Sequence, residues 1–242
     1  MPYSYLVNPR PRSVEGAAVH VRRIVDLSVP LSASTQIYPG DPVPRIEPAA
    51  TIEADGFNLL SLRLGSQTGT HVDAPYHFRA DGARIDEMDL SLFAGEGAVI
   101  DVTGLAPRAR ITWESIAPAA GRLGPGVIAL LHTGWPDRYG TPAYFDHPFL
   151  DADACRRMLG LGVRTFLLDF PNIDETPDAA HPGEGFPAHR LIAAAGGVIG
   201  ENLRGFEQID FTPFVSCLPL RLAGADGAPV RAVAMDLAPP AR

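Results

Sequence analysis

Four side chains able to bind a metal or move a proton crowd into one stretch, Ser66-Gln67-Thr68-Gly69-Thr70-His71-Val72-Asp73-Ala74-Pro75-Tyr76-His77-Phe78. They are Gln67, His71, Asp73 and His77. All four positions are odd, so a strand would turn them to one face. Distance breaks that simple picture. At ~3.3 Å per residue, Gln67 and Asp73 would stand roughly 20 Å apart on a strand. Ligand atoms sit about 2 Å from an ion, so one ion cannot join them. His71 and Asp73, about 7 Å apart along the chain, can share an ion. Gln67 joins them only if the chain folds back near Gly69, where glycine admits unusual dihedrals. Pro75 ends the strand, because it has no N–H for a ladder. His77 then lies past the turn, on its own segment. The same four residues also suit a tight turn held by side-chain hydrogen bonds.

The remaining chain must hold this stretch in place. It has 242 residues, 46 % of them hydrophobic, enough for one substantial core. Gly and Pro number 24 each, which predicts many turns and short elements. A net charge of -8 argues against nucleic acid or an anionic membrane surface as partner. Cys155 and Cys217 form no disulfide framework, and no run of about 18 apolar residues or signal-peptide pattern is present. A soluble, cytoplasmic protein with reduced thiols is the expectation.

Residues 1 to 20, with Pro2, Pro9 and Pro11, read as an extended arm, and 21 to 242 as one mixed, strand-rich α/β domain. Strands are predicted over Arg23–Val29, Gly95–Thr103, Val127–Leu131 and Val163–Phe170; the last two carry continuous apolar runs, Val127–Leu131 and Phe166–Leu168, and so should be covered on both faces. Leu60, Leu62 and Leu64 alternate with polar residues, predicting a half-buried strand that enters the motif. Asp151 should cap a helix through Leu159, closed by Gly160 or Gly162. Residues 171 to 187 form a long loop. His189 opens an alanine-rich helix ending at Gly196-Gly197, and Val198-Ile199 leads to Glu201. Phe214–Leu222 and Val230–Met235 read as a hairpin turned at Ala225-Asp226-Gly227.

His189 and Glu201 are a second pair of candidate ligands, since the helix and Gly-Gly reversal return the chain on itself. Residue types alone equally allow a capping histidine and a surface carboxylate. His132 ends an apolar strand and is placed to line a pocket. His147 and His181 read as ordinary surface residues, and His20 as part of the arm. Cys155 and Cys217 carry no reactive-thiol signature.

Gln67-Thr68-Gly69-Thr70-His71-Val72-Asp73-Ala74-Pro75-Tyr76-His77-Phe78 resembles the His-x-Gly-Thr-His-x-Asp-x-Pro-x-His-Phe motif of the metal-dependent cyclase family, which includes bacterial kynurenine formamidases (arylformamidases) and isatin hydrolases. The likeness runs from about residue 22 to 237. It includes Tyr38-Pro39-Gly40-Asp41, Leu131-His132-Thr133-Gly134-Trp135, Pro187-Ala188-His189-Arg190 and Ile199-Gly200-Glu201-Asn202-Leu203. It implies a swivelling β/β/α fold, typically a homodimer or homotetramer. It implies that His71 and Asp73 bind metal, that His77 shuttles protons, and that His189 and Glu201 complete a second site with Asp73 and Glu201 bridging. Tyr38 falls near the aromatic residue that formamidases place against the substrate ring.

One departure stands out. The family's first ligand is usually His, and here it is Gln67. An amide oxygen is a harder, weaker ligand than imidazole, which lowers zinc affinity and favours manganese. Asn172 is a second departure, where many members carry a small hydroxyl residue. One or two divalent ions per chain are expected, Zn2+ first and Mn2+ second. The implied reaction is hydrolysis of a small amide: the ion lowers the pKa of a bound water toward ~7, and His77 moves the proton. The alternatives are a cyclic-amide or lactone hydrolase of the isatin hydrolase type, or a metal- and ligand-binding relative without turnover.

Overall fold

The computed structural model describes residues 19 to 238, so residues 1 to 18 of the expected arm lie outside it. His20, assigned above to the arm, instead opens the first strand. The strands in chain order are β1 (His20–Asp26), β2 (Arg45–Ala50), β3 (Leu59–Arg63), β4 (His71–Asp73), β5 (Ala94–Asp101), β6 (Arg110–Ile111), β7 (Ile128–His132), β8 (Phe149–Leu150), β9 (Thr165–Leu168), β10 (Val198–Glu201), β11 (Phe214–Ser216), β12 (Gly227–Pro229) and β13 (Val233–Ala238). The helices are α1 (Ile52–Asp55), α2 (Trp113–Ile116), α3 (Ala152–Gly160) and α4 (Pro187–Ala194).

Nine strands form one mixed sheet in the order β1-β13-β11-β5-β7-β9-β10-β4-β12. β5, β7, β9 and β10 run parallel, and β4 joins β10 antiparallel. The apolar runs behave as expected. Along β7, Ala129 and Leu131 enter one core with Phe166, Leu168 and the inner faces of α3 and α4. Ile128 and Leu130 enter a second core on the opposite face, with Leu167, Val72, Val215 and Phe206. Alternate side chains of a strand face opposite ways, so a strand covered on both sides must be apolar throughout. The Asp151 side chain accepts from the backbone N–H groups of Asp153 and Ala154, which sets the start of α3. Among the described residues, no helix is long and apolar enough to cross a membrane.

Three expectations need correction. β3 is not half-buried: it pairs only with β2, and Leu59, Leu60 and Leu62 are 54, 57 and 59 % exposed. Alternation signals one covered face only where something covers it, and among the described residues nothing covers this ribbon. The closing hairpin pairs as expected, with Pro219 also bridging Val230, but the link between its strands is different. β11 pairs with β13 and β5, while β12 leaves to pair with β4. The Ala225-Asp226-Gly227 turn therefore lands beside the motif. His147 is no surface residue: it is 1 % exposed, stacked on Phe170, with its nitrogens on the Pro148 carbonyl and the Thr176 hydroxyl.

Burial holds the His147 pKa down at about 4, below its ordinary value of 6.5. The unfolded chain therefore takes up a proton that the native state refuses. Stability from this residue is complete above pH 6.5 and declines as pH falls toward 4. A shift of this size is worth about 3 kcal/mol at most. Urea titrations across that window should show wild-type stability falling with pH, and His147→Gln should flatten the decline. A variant with the wild-type slope would contradict the assignment.

Candidate metal centre and active site

His71 and Asp73 are alternate residues of β4 and so share a face. Glu201 lies directly across from His71 on β10, and cross-strand partners project to the same side. α4 lowers His189 onto this face from its first turn. The helix starts at Pro187, two residues earlier than expected. Four side chains from three elements thus meet, each less than 10 % exposed.

Their spacing is that of shared ligands. His71 Nε2 is 3.6 Å from Asp73 Oδ1 and 3.7 Å from Glu201 Oε2. His189 Nε2 is 3.7 Å from Asp73 Oδ2 and 3.6 Å from Glu201 Oε1. These gaps are too long for hydrogen bonds. Two ligands on one tetrahedral ion, each about 2.1 Å away, would stand about 3.4 Å apart. Both oxygens of Asp73 are buried and lack a hydrogen-bond partner. A buried carboxylate in that position is costly unless a cation meets it. Burial and the neighbouring Asp73 charge push the Glu201 carboxyl up to about 8. For His189, burial pulls the pKa down, but Asp174 and Asp73 outweigh it and raise it to about 10. A divalent ion fits this donor set.

Three of the four donors are aimed from behind. The Gly69 carbonyl lies 2.8 Å from His71 Nδ1, and a carbonyl only accepts, so Nδ1 carries the hydrogen and Nε2 faces the site with its lone pair. Asp174 Oδ2 does the same at 2.8 Å for His189 Nδ1, and accepts from the His189 backbone N–H as well. Its Oδ1 accepts from the Ala188 N–H, so one carboxylate both starts α4 and orients its histidine. The Ile173 N–H donates to Glu201 Oε1 at 2.9 Å.

Gln67 arrives as the distance argument requires. Gly69 takes φ +70° and reverses the chain. Gln67 Nε2 and His77 Nδ1 both donate to Asp226 Oδ2, at 2.9 and 3.0 Å, and the Ser66 hydroxyl donates to Oδ1 at 2.8 Å. The Gln67 amide oxygen is buried without a partner. Gly227 permits this approach, since a Cβ there would meet Gln67 Nε2 at 2.8 Å. The His77 hydrogen bond, with those of Gln67 and Ser66, holds the Asp226 carboxyl well below the usual carboxylate range despite partial burial. His77, in the helical turn after Pro75, loses basicity to burial but gains more from Asp226 and Asp73, so its pKa is raised. A ring nitrogen of His77 lies within 4.8 Å of donor atoms of Asp73 and His189.

A cleft of about 210 Å³ opens onto His71, His77, His189 and Glu201. Its walls include Tyr38, Phe78, Phe145 and Phe186. Asn172 donates to the Tyr38 hydroxyl at 3.2 Å. His132 is absent from these walls and packs on Phe206 instead. His181 is exposed and paired with Asp178. Asp226 and Asp174 were not singled out from sequence. Asp226 sits in a turn composition that explains itself, and Asp174 carried only its place before the second ligand region.

The chain matches the family model described as "Putative cyclase" over residues 25–175. It is 32 % identical over 228 residues to a kynurenine formamidase from Salinibacter ruber, covering 90 % of this chain and 99 % of that protein. Isatin hydrolase A from Ralstonia solanacearum superposes with a TM-score of 0.79 at 25 % identity, covering 88 % of this chain and 91 % of the other. A predicted metal-dependent hydrolase from Bacillus stearothermophilus gives 0.72 at 25 % identity, covering 91 and 100 %.

Asp174→Ala should release the His189 ring and lower metal affinity by about 10–100-fold. Competition against a chromophoric chelator measures this. Unchanged affinity would mean that His189 needs no such support or binds no ion.

Proposed function

The chain belongs to the cyclase family, and from that premise we propose that it is a metal-dependent hydrolase of a small amide, of the kynurenine formamidase type. The observation that carries this is the Asp73–Glu201 carboxylate pair, faced by two imidazoles at 3.6–3.7 Å, beyond hydrogen-bond reach. His71, Asp73, Glu201 and His189 would hold one or two divalent ions, with the free Gln67 oxygen as a further donor. Imidazole and carboxylate donors suit zinc, and an amide oxygen shifts the balance toward manganese. Such an ion supplies Lewis acidity to a water and to the acyl oxygen.

The protein's own groups do the rest. Asp226 fixes the His77 tautomer with hydrogen on Nδ1, which leaves Nε2 to take a proton from the attacking water and return it to the leaving nitrogen. Tyr38, Phe145 and Phe186 offer flat apolar faces to an aromatic ring. No thiol takes part: Cys155 and Cys217 are buried, and burial pushes both up to about 12. Those unpaired thiols support a reducing, cytoplasmic setting. The likeness to isatin hydrolase A keeps a cyclic amide as the second substrate class. A homodimer or homotetramer is supported by the β2–β3 ribbon, whose leucines no other described residues cover.

Metal-loaded protein should hydrolyse formanilides or cyclic amides and lose activity to chelators. His77→Ala should cut kcat by about 10²–10⁴-fold while metal content stays at the wild-type level. Loss of metal as well would make His77 a ligand. No turnover across formamides, cyclic amides and lactones would overturn the hydrolase reading. Sedimentation should give a dimer or tetramer, and Leu60→Glu with Leu62→Glu should yield monomers. A monomeric wild type would contradict the ribbon's role.

A further inference from the structure

Asn202 follows Glu201 at the end of β10, and its backbone takes φ +57°. In that left-handed region a side chain is strained and glycine is not. An amide held there at a cost points to a use for the side chain, which is buried. Its Nδ2 donates to the Gly69 carbonyl at 3.2 Å, and its Oδ1 accepts from the Tyr144 hydroxyl at 3.1 Å. Chemistry fixes this orientation: a carbonyl only accepts, so the amide nitrogen faces Gly69 and the amide oxygen faces Tyr144. Tyr144 is itself 1 % exposed. The Gly69 carbonyl is the same oxygen that receives His71 Nδ1 at 2.8 Å. Two donors thus converge on one peptide oxygen, the ring of a candidate ligand and the Asn202 amide. Gly69 also carries the bend that returns Gln67 to the site. The peptide that Asn202 grips therefore lies between two candidate donors to the ion. A further bond ties the same segments: the Thr70 hydroxyl donates to the Asn202 carbonyl at 2.7 Å. It uses no side-chain atom of Asn202, so it survives substitution there.

We propose that Asn202 is a positioning residue for the metal centre: it holds the Gly69 carbonyl where that oxygen fixes the tautomer and direction of the His71 ring, and Tyr144 sets the sense of the amide. A carbonyl held by the imidazole alone can swing with the Gly69 bend, and the ring follows it. With the amide in place the ring is aimed before an ion arrives. Asn202 touches no reacting atom and moves no proton. The inference rests on the reading of His71 as a metal ligand; it does not need the hydrolase reading.

Zinc affinity, measured by competition with a chromophoric chelator, is the first readout. Asn202→Gly deletes the amide and suits the backbone of this turn, so the fold is kept. It should bind zinc about tenfold more weakly than wild type, the low end of what losing support behind a ligating histidine costs. The second readout is the His71 ring proton, followed by magnetic resonance in zinc-loaded protein carrying isotope-labelled histidine. Wild type should show a slowly exchanging Nδ1–H, and in Asn202→Gly that proton should exchange several-fold faster. Tyr144→Phe removes only the hydroxyl. It should weaken zinc binding by about two- to threefold in wild type and no further in Asn202→Gly, because both act through one amide. Unchanged zinc affinity in Asn202→Gly overturns the proposal. So does a weaker affinity with the ring proton as protected as in wild type, which would be a general loosening of the site. Tyr144→Phe and Asn202→Gly losses that multiply in the double variant overturn it as well. A wild type that binds no zinc overturns it together with the metal reading. Formanilide turnover keeps the hydrolase reading separate: an inactive protein whose zinc affinity and ring proton respond to Asn202→Gly as stated supports this inference while that reading fails.

Discussion

Two buried carboxylates that cannot satisfy one another govern this structure. Asp73 and Glu201 come from neighbouring antiparallel strands, and each approaches both His71 and His189 at 3.6–3.7 Å. That distance is too long to be a hydrogen bond and right for ligands sharing an ion. Burying such charges without compensation is costly. The surrounding groups aim three of the four donors inward: the Gly69 carbonyl behind His71, Asp174 behind His189, the Ile173 N–H behind Glu201.

The sheet explains why these elements can be brought together. β7 and β9 are apolar on both faces, so the centre of the sheet is sealed and the polar groups are carried to β4, β10 and their flanking loops. β12 completes the arrangement from the other side of β4. Its pairing places Asp226 against Gln67 and His77, at the mouth of the cleft. Three donors converge on that one carboxylate. An amide, with one acceptor oxygen, could not receive them all. Gln67 takes a different part from the imidazole it replaces: its nitrogen is committed to Asp226, and only its oxygen remains for an ion.

Much of this was legible in the chain. The i, i+2 spacing of His71 and Asp73, the apolar runs that became β7 and β9, and the Asp151 cap each follow from local rules. The need for a bend at Gly69 followed from length alone, and the left-handed glycine meets it. What escaped reading depended on tertiary partners. Leu60 and Leu62 alternate as a covered strand would, yet no part of the described chain covers them. His147 gave no periodic signal of its burial. Asp226 looked like a turn residue because it is one, and only the pairing of β12 with β4 brings that loop against Gln67 and His77. The helix and Gly-Gly reversal already offered His189 and Glu201 as a pair, but residue types alone equally allowed a cap and a surface carboxylate, and the family resemblance favoured ligands.

The central claim is that Asp73 and Glu201 are metal ligands held between two oriented imidazoles. Anomalous scattering from crystals soaked in zinc, and separately in manganese, tests it most directly. The account predicts an ion bonded to Asp73 and Glu201 and to His71 or His189, with a second ion, where present, on the other imidazole across the same carboxylates. An ion bound elsewhere, or none at Asp73 under saturating metal, would contradict it.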